Sequence, residues 1–205
     1  LLLARCLLED GRRTKAREEM NTAIAQGTRP FLAYRFVGEI DLAEGKSTSL
    51  SNAELQMMLR QRPDDLVTRM LLGESYERQG AFAQAAATYE EATKLNPKLL
   101  SAATKLAELN AGPLNDSGKA LEFARKAREI APNDPKVLGM LGDAAYQTGN
   151  FKWAYSLLQE SARRLPNNTE VLYDFAWAAY SMGRVSEARQ AVQRLLALSP
   201  NSNQQ

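Results

Sequence analysis

Apolar residues recur at spacings of three and four along this 205-residue chain, the pattern of helices that each bury one face. The pattern predicts helices throughout and no strands. It is interrupted at regular places. Prolines stand at 63, 97, 132, 166 and 200, in steps of 34, 35, 34 and 34. Small residues keep the same interval: Ala85, Ala120, Ala154 and Ala188 form one series, and Gly73, Ala107, Gly142 and Ala176 form another. A repeat of this length marks stacked supersecondary units. Each unit is predicted to hold two amphipathic helices. Small residues let the pair approach where the axes cross, and glycine takes the turn geometry that other residues resist. The proline ends one unit, and Asp or Asn caps the next in PDDL (63–66), PNDP (132–135) and PNNT (166–169).

The clearest unit is LVTRMLLGESYERQGAFAQAAATYEEATKLNPKL, residues 66–99. Leu72, Gly73, Tyr76, Gly80, Ala85, Tyr89, Ala92 and Pro97 fall at characteristic places, and Arg69 stands where a leading Trp is expected. This unit resembles the tetratricopeptide repeat. Residues 135–168 repeat the pattern with Leu141, Gly142, Gly149, Ala154 and Pro166, and residues 169–202 with Phe175, Ala176, Gly183, Ala188 and Pro200. Two units deviate. Residues 100–134 carry one extra residue in NAGPLNDSG (110–118), expected to be a loose loop, with Asn110 in place of the tyrosine. Residues 31–63 are degenerate: Gly38 and Gly45 fit, and a short second helix is expected from Ser51. Residues 1–27 read as the back of a repeat, with Gly11, Ala16, Met20 and Ala23 in register. The resemblance implies one all-α, right-handed solenoid over 1–205, of about eleven or twelve helices, with a partner's peptide or helix on a concave face lined by the first helices. With no initiator Met, the chain is read as a fragment of a longer protein.

Composition narrows the function classes. With 44% apolar and 24% charged residues, the chain can build a core. A net charge of +2 carries none of the basic excess that phosphate backbones demand, which argues against nucleic acid as the main partner. The chain has no histidine, which removes His-based nucleophile systems and His-ligated metals. Its one cysteine, Cys6, cannot form an internal disulfide and is read as a small apolar residue on a helix face. No cofactor is implied. LLLARCLLED is too short and too interrupted by charge for a signal peptide or a membrane span. The compartment stays open between cytoplasm and periplasm or cell envelope.

Three local motifs read as structural. AEGKSTS (43–49) contains the GKS of a phosphate-binding loop, but the required earlier glycine is replaced by Ile40, and the preceding segment reads as a helix. The sequons NDS (115–117) and NNT (167–169) lie in polar loops, and NNT reads better as a helix cap. Glu90 and Glu91 are adjacent on a helix and point in different directions. Asp64 and Asp65 lie at a helix start, where acids favour the dipole.

The resemblance also implies that the second, fifth, ninth and twelfth residues of each first helix face the groove. These are Val67, Met70, Glu74 and Glu77; then Ser101, Thr104, Glu108 and Ala111; then Lys136, Gly139, Asp143 and Tyr146; then Glu170, Tyr173, Trp177 and Tyr180. The expected partner-binding set is Glu74, Glu108, Asp143, Glu170, Tyr146, Tyr173, Trp177 and Tyr180. Acids beside aromatics favour a protein or peptide partner with an apolar anchor and nearby Lys or Arg. The carboxylate clamp of the chaperone-binding branch would begin where Met70 and Glu74 stand, which argues against that role. A packing role for the aromatic stripe stays open beside the binding role. Trp153 and Tyr155, on a second helix, read as packing residues. The expected function is a non-catalytic protein-interaction scaffold. The alternatives are an accessory segment of a larger enzyme, such as a transferase, and self-association. The Arg- and Ala-rich repeats also resemble those of long bacterial tetratricopeptide proteins linked to exopolysaccharide export and cell-surface sorting.

Overall fold

A computed structural model describes residues 2–26, 30–43 and 50–198, which form twelve α-helices and, among the described residues, no strand. They divide into two compact units, Leu1–Pro97 and Lys98–Gln205. The first holds α1 (Leu2–Glu9), α2 (Arg13–Ala25), α3 (Pro30–Ala43), α4 (Asn52–Gln61), α5 (Leu66–Arg78) and α6 (Phe82–Leu95). The second holds α7 (Leu100–Ala111), α8 (Ser117–Ile130), α9 (Pro135–Gln147), α10 (Phe151–Arg164), α11 (Thr169–Ser181) and α12 (Val185–Leu198). In the second unit each helix packs on the next in sequence, and α9 also touches both α7 and α11. The chain is an α-solenoid of helix–turn–helix repeats.

Helix starts follow the predicted caps. Asp65 accepts the Thr68 amide at 3.0 Å, Asp134 the Lys136 amide at 2.8 Å and Asn168 the Val171 amide at 2.9 Å, each occupying an otherwise orphaned donor. Ser51 opens α4 with a reciprocal box: its hydroxyl receives the Glu54 amide while the Glu54 carboxylate receives the Ser51 amide. The turns inside three repeats place Gly80, Gly149 and Gly183 at φ of 71°, 81° and 73°, the left-handed region that side chains resist. In the longer repeat Asn115 takes that conformation at φ 50°. Its loop is tied rather than loose. The Asp116 amide donates to the Asn110 carbonyl at 2.8 Å, the Leu114 amide to Leu109 at 2.9 Å, and Asp116 then caps α8. Asn110, at the tyrosine position, is buried and donates its amide to the Leu106 carbonyl at 2.7 Å.

The small-residue series marks where paired helices touch. A Cβ on Gly73 would lie 2.3 Å from the Tyr89 ring, and one on Gly142 would lie 2.6 Å from Leu158 Cγ. Tyr89 and Leu158 are fully buried in these contacts. Arg69 is also buried; its guanidinium pairs with Glu91 and donates to the Pro63 carbonyl, which gives Glu91 a structural role. Cys6 lies on α1, exposed. Residues 44–49, with Gly45 and most of the AEGKSTS motif, lie outside the described residues, as does Pro200. The segment before the motif is helical through Ala43, with Ile40 buried in it.

These contacts predict different costs for two glycine replacements. Gly142→Ala overpacks the α9–α10 contact and should cost about 1–3 kcal/mol, because Leu158 must shift. Gly149→Ala meets no neighbour and should cost about 1–2 kcal/mol through its backbone conformation alone. Urea unfolding followed by circular dichroism checks both; an unchanged midpoint for Gly142→Ala would contradict the packing account.

Candidate functional site

In the second unit, helices α7, α9 and α11 lie side by side and line a cleft of about 440 Å³. Glu108 comes from α7, Lys136 and Asp143 from α9, and Glu170 and Asp174 from α11. An adjoining cleft of about 390 Å³ holds Asp143 and Asp174 together with Tyr146, Tyr173 and Trp177. The two carboxyls are therefore shared by a polar compartment and an aromatic one.

Carboxyls dominate the electrostatics. Asp143 accepts a hydrogen bond from Gln147 Nε2 at 2.8 Å. Burial pushes its pKa up against that bond, and the charge of Glu170 adds to the rise. Among the described residues, Asp174 has no comparable donor. Burial, reinforced by Asp143 and Glu170, raises its pKa to about 7. None of these three carboxyls forms an ion pair among the described residues, and Lys136 stands on the same cleft wall.

Three of the predicted aromatics form an exposed ladder on α11. Tyr173, Trp177 and Tyr180 are 56%, 48% and 59% exposed, and successive ring centroids stand 6.3 Å apart in edge-to-face pairs. Tyr146 differs: it is half-buried, its hydroxyl lies 3.1 Å from Ser181 Oγ, and its ring meets Phe151 edge-on at 5.1 Å. It joins α9 to α11 and offers only part of its surface to the cleft. Gly139, on the same predicted stripe, is buried and lines the cleft; a Cβ there would lie 3.0 Å from Ser161 Oγ and 3.1 Å from Val171 Cγ2, so the position also lets α10 and α11 approach. Glu74 lies half-buried on α5 in the first unit and is described there alone, as is Glu77, which accepts the Tyr89 hydroxyl at 2.5 Å. Trp153 and Tyr155 pack beside the Ala145, Ala154 and Leu158 cluster.

The structure thus gathers Glu108, Asp143, Glu170, Tyr146, Tyr173 and Trp177 around two adjoining clefts, with Tyr180 next along α11. It adds Asp174, which the stripe rule missed. The signal was the spacing of four from Glu170, which sets both carboxyls on one face of α11. Among the described residues, no group of three or more His, Cys, Asp or Glu is placed to hold a metal ion. No helix among them is long and apolar enough to cross a membrane.

A stack of helical hairpins of this kind defines a helical-repeat protein. Residues 54–99 and 70–135 match one tetratricopeptide-repeat profile and residues 149–205 another, together well over half the chain. The chain belongs to the tetratricopeptide-repeat family, whose members generally act as protein–protein interaction scaffolds. Over 88 residues it is 34% identical to the transcriptional regulator HilA of Salmonella typhimurium, an alignment covering 40% of this chain and 15% of HilA. In fold it resembles MamA from Desulfovibrio magneticus, with a TM-score of 0.71 and 15% identity over 84% of this chain and 97% of that one. It resembles YrrB equally, with a TM-score of 0.71 and 14% identity over 91% and 95% of the two chains; YrrB is described as having an unusual peptide-binding site.

Asp174 gives a pH prediction. Its raised pKa means the fold retains a proton that the unfolded chain releases near the ordinary aspartate value of 3.8, so stability should fall as pH rises from about 4 through 7. Asp174→Asn should remove that loss, raising the melting temperature at pH 8 by roughly 2–4 °C for each kcal/mol recovered, with a smaller gain at pH 5. An equal shift at both pH values in thermal denaturation would contradict the raised pKa.

Proposed function

We propose that the second unit binds a segment of a partner protein that carries an apolar anchor beside Lys or Arg residues, and that the chain is a non-catalytic scaffold. The observation that carries this reading is the Asp143, Glu170 and Asp174 cluster lying against the exposed Tyr173–Trp177 ladder. Desolvated carboxyls without cationic partners favour an incoming ammonium or guanidinium group, and each raised pKa returns toward its usual range when such a charge arrives. Exposed rings at fixed spacing offer apolar contact and cation–π attraction with little side-chain entropy to lose. The peptide-binding site described for YrrB, a neighbour in fold, supports the same kind of ligand. On the resemblance of the Arg- and Ala-rich repeats, we extend the reading to the bacterial scaffolds linked to exopolysaccharide export and cell-surface sorting.

Calorimetry with two synthetic peptides of equal apolar content, one Lys-rich and one Glu-rich, tests the reading. The Lys-rich peptide should bind in the micromolar range, about −8 kcal/mol, and the Glu-rich one should not. Trp177→Ala with Tyr173→Ala, and separately Asp143→Asn with Glu170→Gln, should each weaken binding by about tenfold or more. Equal affinity for the two peptides, or variants that bind as the parent does, would sink the proposal.

A further inference from the structure

The first unit carries a buried polar pair that the repeat does not require. Arg69 of α5 and Thr88 of α6 occupy positions that are apolar in every later repeat. The counterparts are Ala103, Leu138 and Leu172 for the first, and Phe123, Leu157 and Ala191 for the second. All six are buried, so the helix pair closes well around apolar side chains at these places. A guanidinium taken out of water costs more than a leucine in the same position. Its presence in this one repeat is a departure from the frame rather than part of it.

The departure coincides with a cavity. A space of about 460 Å³ opens among α4, α5 and α6, lined by Leu59, Arg60, Arg69, Leu72, Tyr76 and Thr88. Thr88 is smaller than Phe123 or Leu157, and its hydroxyl is turned to the Gln84 carbonyl at 2.7 Å. Three donors on the lining remain available. The terminal nitrogens of Arg69 donate to Glu91 and to the Pro63 carbonyl, but its Nε is buried and has no hydrogen-bond partner among the described residues. Arg60 is exposed and forms no ion pair among the described residues. The Tyr76 hydroxyl receives Gln56 Nε2 at 2.9 Å and keeps its own proton to donate. Two guanidiniums against the single carboxylate of Glu91 leave the lining with one net positive charge.

We propose that this cavity binds a small carboxylic acid. Its carboxylate bridges Arg69 Nε and Arg60, with the Tyr76 hydroxyl as a further donor, and its short apolar body lies on Leu59 and Leu72. Guanidinium groups match the planar carboxylate in geometry as well as charge. One net positive charge suits a singly charged acid better than a phosphate dianion, and the leucines give an apolar body its contact. Glu91 is 59% exposed, so its repulsion of the ligand is screened by solvent. The volume falls within the range of about 300–1,000 Å³ usual for small-molecule sites. The site lies in the first unit, on other residues and with the opposite charge preference to the cleft proposed for basic peptides, so it stands apart from that reading.

The probes are isocaproate and hydrocinnamate, their neutral amides, and inorganic phosphate, each titrated at neutral pH into the isotope-labelled 205-residue chain. Both acids should shift the backbone amide signals of Leu72 and Tyr76, saturating in the millimolar range, while the neutral amides and phosphate leave them in place. Arg60→Gln and Arg69→Leu should each weaken acid binding by about tenfold or more. Arg69→Leu, which brings in the side chain found at 138 and 172, should melt no lower than the parent by circular dichroism. Asp143→Asn, in the second unit, should leave acid binding unchanged, so failure here and failure of the basic-peptide reading are told apart. Absence of saturable shifts with both acids, equal binding of the neutral amides or of phosphate, or acid binding untouched by Arg60→Gln would each overturn the proposal. Arg60 is exposed, so its variant decides the matter even where Arg69→Leu fails to fold. A lower melting temperature for Arg69→Leu with acid binding retained would assign Arg69 to the fold alone and overturn it as well.

Discussion

Everything else in the molecule depends on how closely the two helices of a repeat approach. Where Gly73 meets Tyr89 and Gly142 meets Leu158, the space a Cβ would fill is taken by a large side chain from the partner helix. Ala107 and Ala176 hold the equivalent places in the other two repeats of the series and are buried. A crossing fixed this tightly leaves little freedom in the rotation of the first helix about its axis. Within the second unit the opposite face therefore points in the same sense in successive repeats, and residues there such as Asp143 and Trp177 are released from packing duties. The caps and left-handed turns serve this crossing by starting each helix at a set residue.

That release permits a chemically costly arrangement on α9 and α11. Asp143, Glu170 and Asp174, from successive turns and neighbouring helices, share one cleft, and among the described residues none of the three forms an ion pair. A core could not tolerate this, but a cleft open to solvent on one side can, at the expense of a raised pKa. Tyr173 and Trp177 stand at the junction, lining both this acidic compartment and an apolar cleft of about 540 Å³ against α12. A single helix thus presents two surfaces of different polarity.

The repeat was readable from the sequence because it is set by local, periodic requirements. Proline, the Asp or Asn caps, turn glycines and small crossing residues each carry their physics in their identity, and Asp65, Asp134, Asn168 and Gly149 all stand where that physics places them. The stripe of Asp143, Tyr173 and Trp177 was legible for the same reason. The place of Asp174 on the Glu170 face was legible from a spacing of four; its raised pKa was not, because that comes from burial in the folded unit, which no spacing along one helix reveals. Tyr146 and Gly139 satisfy the stripe rule yet are drawn into packing by Ser181 and Val171 of the next repeat. Asn115 adopting a glycine-like turn, with Asp116 closing it, depends on backbone hydrogen bonds that composition leaves ambiguous.

The placement of the two tryptophans has a spectroscopic consequence. Trp153 packs under Arg125, with the guanidinium 5.3 Å from the ring centroid, while Trp177 is half-exposed beside titrating carboxyls; both belong to the second unit, and the first has none. Intrinsic emission excited at the indole band therefore reports on half of the molecule. Its two components differ in wavelength and in access to quenchers, whereas the amide circular dichroism sums over all twelve helices. Comparing the two signals through an unfolding transition measures how far the Leu1–Pro97 unit melts in step with the Lys98–Gln205 unit, with no label introduced.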